Sequence, residues 1–64
     1  MVSINGEKLN IAGKTIMEYL LMTKYELNRI AIERNGEIIP KAQYGKTVLK
    51  DGDCVELVCF VGGG

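Results

Sequence analysis

Histidine is absent from all 64 residues, and with it go the commonest general base, the commonest zinc ligand and the usual base partner of a nucleophile. Charge of one sign is missing too. Eight basic residues face eight acidic ones, which leaves no basic stripe to neutralise phosphates and argues against a nucleic-acid partner. No apolar run is long enough to cross a bilayer, and the opening Met1-Val2-Ser3-Ile4-Asn5-Gly6-Glu7 lacks the basic and apolar regions of a secretion signal. The chain is therefore expected in the cytoplasm and not at a membrane. A single proline and no block of like charge argue against a disordered chain. No glycine-rich phosphate loop stands between a strand and a helix, because the one glycine cluster has nothing after it. The acidic residues Glu7, Glu18, Glu26, Glu33, Glu37, Asp51, Asp53 and Glu56 are scattered, and read as solvated surface with Glu18 a helix cap. So few reactive groups suggest neither an enzyme nor a metal site.

What is present is enough for one domain spanning 1–64, 47% hydrophobic and 25% charged. A chain this short hides only about 60% of the surface its unfolded form exposes, so most apolar residues are needed for the core. Cys54 and Cys59 are five apart in what reads as one strand. That places them roughly 16 Å apart, beyond the reach of a disulfide, and both are expected to be small buried or half-buried hydrophobes.

Val2-Ser3-Ile4-Asn5 alternates apolar and polar, and Asn5-Gly6 suits a type I′ hairpin turn, with Leu9 and Ile11 continuing the alternation beyond it. Thr15-Ile16-Met17-Glu18 matches a capping box and predicts a helix from Thr15 to about Lys24 or Tyr25. Ile16, Tyr19 and Leu20 share one helical face. Met17, Leu21 and Met22 widen it, and Met17 and Met22 are expected to fill gaps in the core, with part of a partner surface as the alternative. Arg29 to Arg34 reads as a strand with Ile30 and Ile32 on one face, Asn35-Gly36 as a second tight turn, and Glu37-Ile38-Ile39 as a return strand that Pro40 ends. Lys41 to Lys46 is a loop or one helical turn, Thr47-Val48-Leu49 a brief extended piece, and Asp51-Gly52 another turn. The final strand runs from Cys54 to Val61. Placing Glu56 outward fixes its facing: Val55, Leu57, Cys59 and Val61 go to the core, and Val58 and Phe60 face out beside Glu56.

Two hairpins around one capped helix, with a last strand able to pair centrally, make an α+β fold. It is a mixed sheet of four or five strands grasping a single helix, the ubiquitin-like β-grasp arrangement. The first and last strands can lie parallel as neighbours, since the helix supplies the crossover.

The last strand leads into Gly62-Gly63-Gly64, a flexible tail without side chains that can enter a space too narrow for any other residue. The α-carboxylate of Gly64 is ionised at neutral pH. It can attack the α-phosphate of ATP to form a mixed anhydride, from which a sulfur nucleophile displaces the nucleotide. A frayed end with no role is the alternative. Val58 and Phe60 on the strand that launches the tail form a patch that an activating enzyme could grip, unless Phe60 packs back on a loop.

Several stretches together resemble the ThiS-type sulfur carriers of thiamine biosynthesis: Asn5-Gly6-Glu7, Ala12-Gly13-Lys14-Thr15, Asn35-Gly36-Glu37-Ile38-Ile39-Pro40, Leu49-Lys50-Asp51-Gly52-Asp53, Val55-Glu56 and the glycine end. Gly63 and Gly64 match that family's glycine pair, while Gly62 stands where many members carry another small residue. The resemblance implies a cytosolic protein co-substrate that binds no cofactor itself. Its Gly64 would be adenylated by a ubiquitin-activating-like, ThiF-type adenylyltransferase using ATP. A sulfur donor such as a cysteine desulfurase would supply the sulfur for a thiocarboxylate, and a ThiG-type thiazole synthase would receive it. The small subunit of molybdopterin synthase is similar in fold and in its Gly-Gly end, though its members tend to carry prolines before the tail. A non-reactive β-grasp binding module is the alternative of another class.

Overall fold

A computed structural model describes residues 1–60. Two short hairpins follow from local chemistry. Strands β1 (Val2–Ile4) and β2 (Glu7–Leu9) pair antiparallel across Asn5-Gly6, and β3 (Ile30–Arg34) and β4 (Glu37–Ile39) do so across Asn35-Gly36. All four turn residues have left-handed backbone, with φ of 51° and 85° in the first turn and 52° and 86° in the second. Two successive positive φ values define the type I′ turn, and its twist matches that of the strands it joins. Pro40 follows β4 directly and has no N–H to extend the ladder.

Between the hairpins lies helix α1 (Ile16–Leu21), whose start is a complete capping box. Thr15 Oγ1 accepts from the Glu18 N–H at 3.1 Å, and Glu18 Oε1 accepts from the Thr15 N–H at 2.8 Å. The helix stops three residues short of the Lys24 expected from its pattern, and Thr23 is the reason. The Thr23 N–H and hydroxyl both donate to the Leu20 carbonyl, at 3.0 and 2.7 Å. That carbonyl is the acceptor the Lys24 amide would need for another turn.

Strand β5 (Cys54–Cys59) completes a five-stranded mixed sheet in the order β2-β1-β5-β3-β4. The β1–β5 pairing is parallel, as the helical crossover allows, and β3 runs antiparallel to β5 on its other side. The last strand is thus central. Val2, Ile4, Ile30, Ile32, Val55 and Leu57 turn one face of the sheet onto Ile16 and Leu20 of α1. Ile11, Tyr44 and Leu49 from the connecting loops close the core. Each fully buried aliphatic side chain here contributes about 1.5–3 kcal/mol of transfer free energy.

Several expectations from the pattern are corrected. Ile11 is buried but lies outside β2, which ends at Leu9. Met17 packs on the core as expected, whereas Met22 at the helix C-cap is 61% exposed. Cys54 and Cys59 are both exposed free thiols and not buried hydrophobes. Cys59 follows Val55 and Leu57 in the alternation but is the last residue of β5, paired with Ile30, the first residue of β3, at the end of the sheet. Asp53 is not solvated surface: only 8% of it is exposed. Val61, expected to face the core, lies outside the described residues.

Candidate functional site

Strand β5 is held along its length by groups from three other segments. Its first amide, Cys54 N–H, donates to Asn35 Oδ1 at 2.9 Å, and Asn35 Nδ2 in turn donates to Asp53 Oδ1 at 3.1 Å. Asp53 Oδ2 accepts from the Lys50 N–H at 2.8 Å and stands 3.7 Å from Arg34 Nη1. Burial pushes the Asp53 carboxyl up, but the Lys50 amide, the Asn35 amide and the positive charges of Arg34 and Lys50 outweigh it. The group is held below the ordinary carboxylate range.

Further along, β1 pairs with β5 only as far as Ile4 opposite Val55. Beyond that point the Asn5 side chain takes over the work of a strand. Its Nδ2 donates to the Leu57 carbonyl at 3.0 Å, and its Oδ1 accepts from the Leu57 N–H at 2.8 Å. These two bonds satisfy backbone groups that would otherwise lack partners on that edge. At the far end the Phe60 N–H donates to the Arg29 carbonyl at 2.6 Å, which extends the β3–β5 ladder one residue past the strand proper.

Among the described residues the other side of the sheet carries no helix. Cys54, Glu56 and Val58 of β5 are exposed there, and the strand register sets Val58 opposite Ala31 and Glu56 opposite Glu33. Ile38 of β4 pairs with Glu33 and is 73% exposed. Of the site residues expected from sequence, Val58 is 52% and Phe60 55% exposed, two positions apart where the chain leaves the sheet. Phe60 therefore does not pack back into the core. Gly62, Gly63 and Gly64 lie outside the described residues.

Sequence reasoning overlooked Asn5 and Asn35 as strand clamps, because Asn-Gly was read only as a turn signal. It also overlooked Glu33 and Ile38 on the open face, whose alignment with Glu56 depends on a pairing 23 residues apart in the chain. At the opposite end of β5 from Phe60, an open depression of about 390 Å³ is lined by Met1, Ser3, Lys8, Asp51, Gly52, Asp53 and Cys54. Among the described residues no group of three or more His, Cys, Asp or Glu side chains is placed to hold a metal ion. No helix among them is long and apolar enough to cross a membrane.

Comparison with known proteins adds to this geometry. The ThiS family model matches residues 2–64. A thiazole synthase of Paramagnetospirillum magneticum is 42% identical over 62 residues, which cover 95% of this chain but 19% of that protein. The chain thus spans about a fifth of the thiazole synthases it matches. The sulfur carrier protein ThiS of Bacillus subtilis is 42% identical over 66 residues and is matched end to end. A crystal structure of the thiamine biosynthesis protein ThiS from Geobacter metallireducens superimposes with a TM-score of 0.76 at 30% identity, covering 98% of this chain and 97% of that one.

Proposed function

The chain belongs to the ThiS family, and from that premise we propose that it is a sulfur carrier of thiamine biosynthesis working through the carboxylate of Gly64. In this reading a ThiF-type adenylyltransferase binds ATP, and the carrier holds no cofactor of its own. A Gly64 carboxylate oxygen attacks the α-phosphorus, pyrophosphate leaves, and an acyl-adenylate forms. The terminal sulfur of a donor persulfide, such as that of a cysteine desulfurase, then attacks the acyl carbon and displaces AMP to give an acyl disulfide. A thiol reductant cleaves the S–S bond, itself becoming a disulfide, to leave the thiocarboxylate. A thiazole synthase takes up that sulfur, and the whole cycle belongs in the cytoplasm.

The observation that carries the reading is the mount. β5 is the central strand, clamped by Asn5 and Asn35 and bonded at its exit to Arg29. From that exit the chain has only Val61 before three glycines. A fixed base and a side-chain-free reach suit a carboxylate that must enter another protein's active site. Val58 and Phe60 supply exposed apolar surface at the base of the reach, where a partner can close on it. The segments of thiazole synthases that resemble this chain support the synthase as receiver.

Removal of Gly64 tests the reading. The shortened chain is expected to melt with the intact one and to accept no sulfur from the activating enzyme, ATP and a donor. Full sulfur delivery by the shortened chain would sink the proposal and favour a binding module.

A further inference from the structure

Of Asn5, Asn10, Asn28 and Asn35, only Asn5 and Asn35 precede a glycine. These are also the asparagines whose side chains hold β5. Asn5 is bonded through both side-chain polar atoms to Leu57, and Asn35 through Oδ1 to the Cys54 N–H and through Nδ2 to Asp53. The nucleophile nearest in the chain to an asparagine amide is the backbone nitrogen of the next residue, and a glycine there has no side chain to hinder it. Among the described residues, no bond of the turns and loops is donated by the Gly6 or Gly36 N–H, and the space a Cβ would take on either glycine is open. Asn10 instead precedes the buried, β-branched Ile11, and Asn28 precedes Arg29, whose N–H is bonded to the Glu26 carbonyl at 3.0 Å.

We propose that Asn5 and Asn35 are modification sites, each converted to aspartate or isoaspartate when its side chain lets go of β5. The glycine nitrogen bonds to the asparagine Cγ, the Cγ–Nδ2 bond breaks, and Nδ2 leaves as ammonia with the glycine amide proton. Water then adds to either carbonyl of the cyclic imide and opens the ring, so the net change is NH2 for OH with no oxidant or reductant. While the amide is bonded to β5 and the turn keeps its left-handed backbone, Cγ is held away from the glycine nitrogen. Local opening of the clamp is therefore the step that admits the reaction.

Conversion makes that opening irreversible. A carboxylate at position 5 still accepts from the Leu57 N–H but offers no hydrogen to the Leu57 carbonyl. A carboxylate at position 35 faces the buried Asp53 across the 3.1 Å now spanned by a hydrogen bond, like charge against like. Isoaspartate adds a carbon to the backbone and breaks the turn at either place. The holds on the central strand are thus also its points of covalent failure.

Peptide mapping of the purified full-length chain after incubation in mildly alkaline buffer, with and without urea, tests this. The change of NH2 to OH is expected at Asn5 and Asn35 ahead of Asn10 and Asn28, and at least about tenfold more slowly in the folded chain than in urea. Asp53→Asn leaves an NH2 group facing Asn35 Nδ2 and does not touch the bonds of Asn5. Below its melting transition it is expected to speed conversion at Asn35 about tenfold while changing Asn5 little, whereas global unfolding would speed both. The converted chain, separated by ion exchange, is expected to melt lower than the parent. Equal rates in buffer and urea overturn the proposal, as do no conversion in urea, conversion first at Asn10 or Asn28, equal acceleration of both sites in Asp53→Asn, or a converted chain that melts with the parent.

Discussion

Replacing Asp53 with alanine removes the group that joins the last turn to the hairpin at Asn35, and the structure allows the loss to be worked out. The carboxylate accepts one backbone N–H, from Lys50 at 2.8 Å, and one amide N–H, from Asn35 at 3.1 Å, with Arg34 at 3.7 Å. Hydrogen bonds to a charged acceptor contribute about 1.5–3 kcal/mol each. The partly exposed Arg34 can turn to water, so its pairing adds at most about 1 kcal/mol. We therefore expect a loss of about 3–7 kcal/mol, from a domain whose total stability at roughly 0.05–0.15 kcal/mol per residue is only about 3–10 kcal/mol. At about 4–8 °C per kcal/mol for a domain of this size, the melting temperature falls by at least ~12 °C. Asp53→Asn keeps one oxygen for the Lys50 amide and should lose roughly half as much.

The pH dependence gives an independent check on the same residue. The folded-state pKa of Asp53 lies below its unfolded value. Its contribution is therefore fully present above the unfolded pKa of about 3.9 and is lost as pH falls through the lower folded value. Thermal melts from neutral to strongly acid pH should show the gap between the parent and Asp53→Asn closing only at the acid end. An Asp53→Ala protein that melts within about 3 °C of the parent at neutral pH, or a gap to Asp53→Asn that ignores pH, would refute the account.

Two further substitutions probe the mount and the chemistry. Asn5→Gly keeps the left-handed turn but removes both bonds to Leu57; it should cost about 1–3 kcal/mol and speed amide exchange at Leu57, and unchanged exchange there would show that no clamp exists. Cys54→Ser combined with Cys59→Ser alters two exposed thiols and is expected to leave sulfur loading intact, so a folded double variant that cannot be loaded would count against Gly64 as the acceptor.

Features that rest on local chemistry were legible in the sequence. Asn5-Gly6 and Asn35-Gly36 specify their turns through two left-handed residues each, and Thr15 with Glu18 specifies the helix start. Glu56 set the facing of the last strand, and with it the exposure of Val58 and Phe60. Features that rest on tertiary partners were not legible. Alternation tells which side of a sheet Cys59 takes but not that it lies at the end of the sheet. Helical spacing likewise does not reveal that Thr23 will take the Leu20 carbonyl and leave Met22 outside. Asp53 and Asn35 meet across 18 residues, and Glu33 meets Glu56 only once β3 and β5 have paired. Tyr44 falls in a stretch that reads as a loop or one helical turn, and it closes such a turn, yet the pattern does not reveal that it is among the most deeply buried side chains.

The central claim is that one carboxylate, at Gly64, carries the sulfur. The full chain incubated with its activating enzyme, ATP and a sulfur donor, then fragmented in a mass spectrometer, tests it most directly. The account predicts that one oxygen is exchanged for one sulfur and that the change maps to Gly64. Sulfur added at Cys54 or Cys59, with the Gly64 carboxylate unchanged, would contradict it.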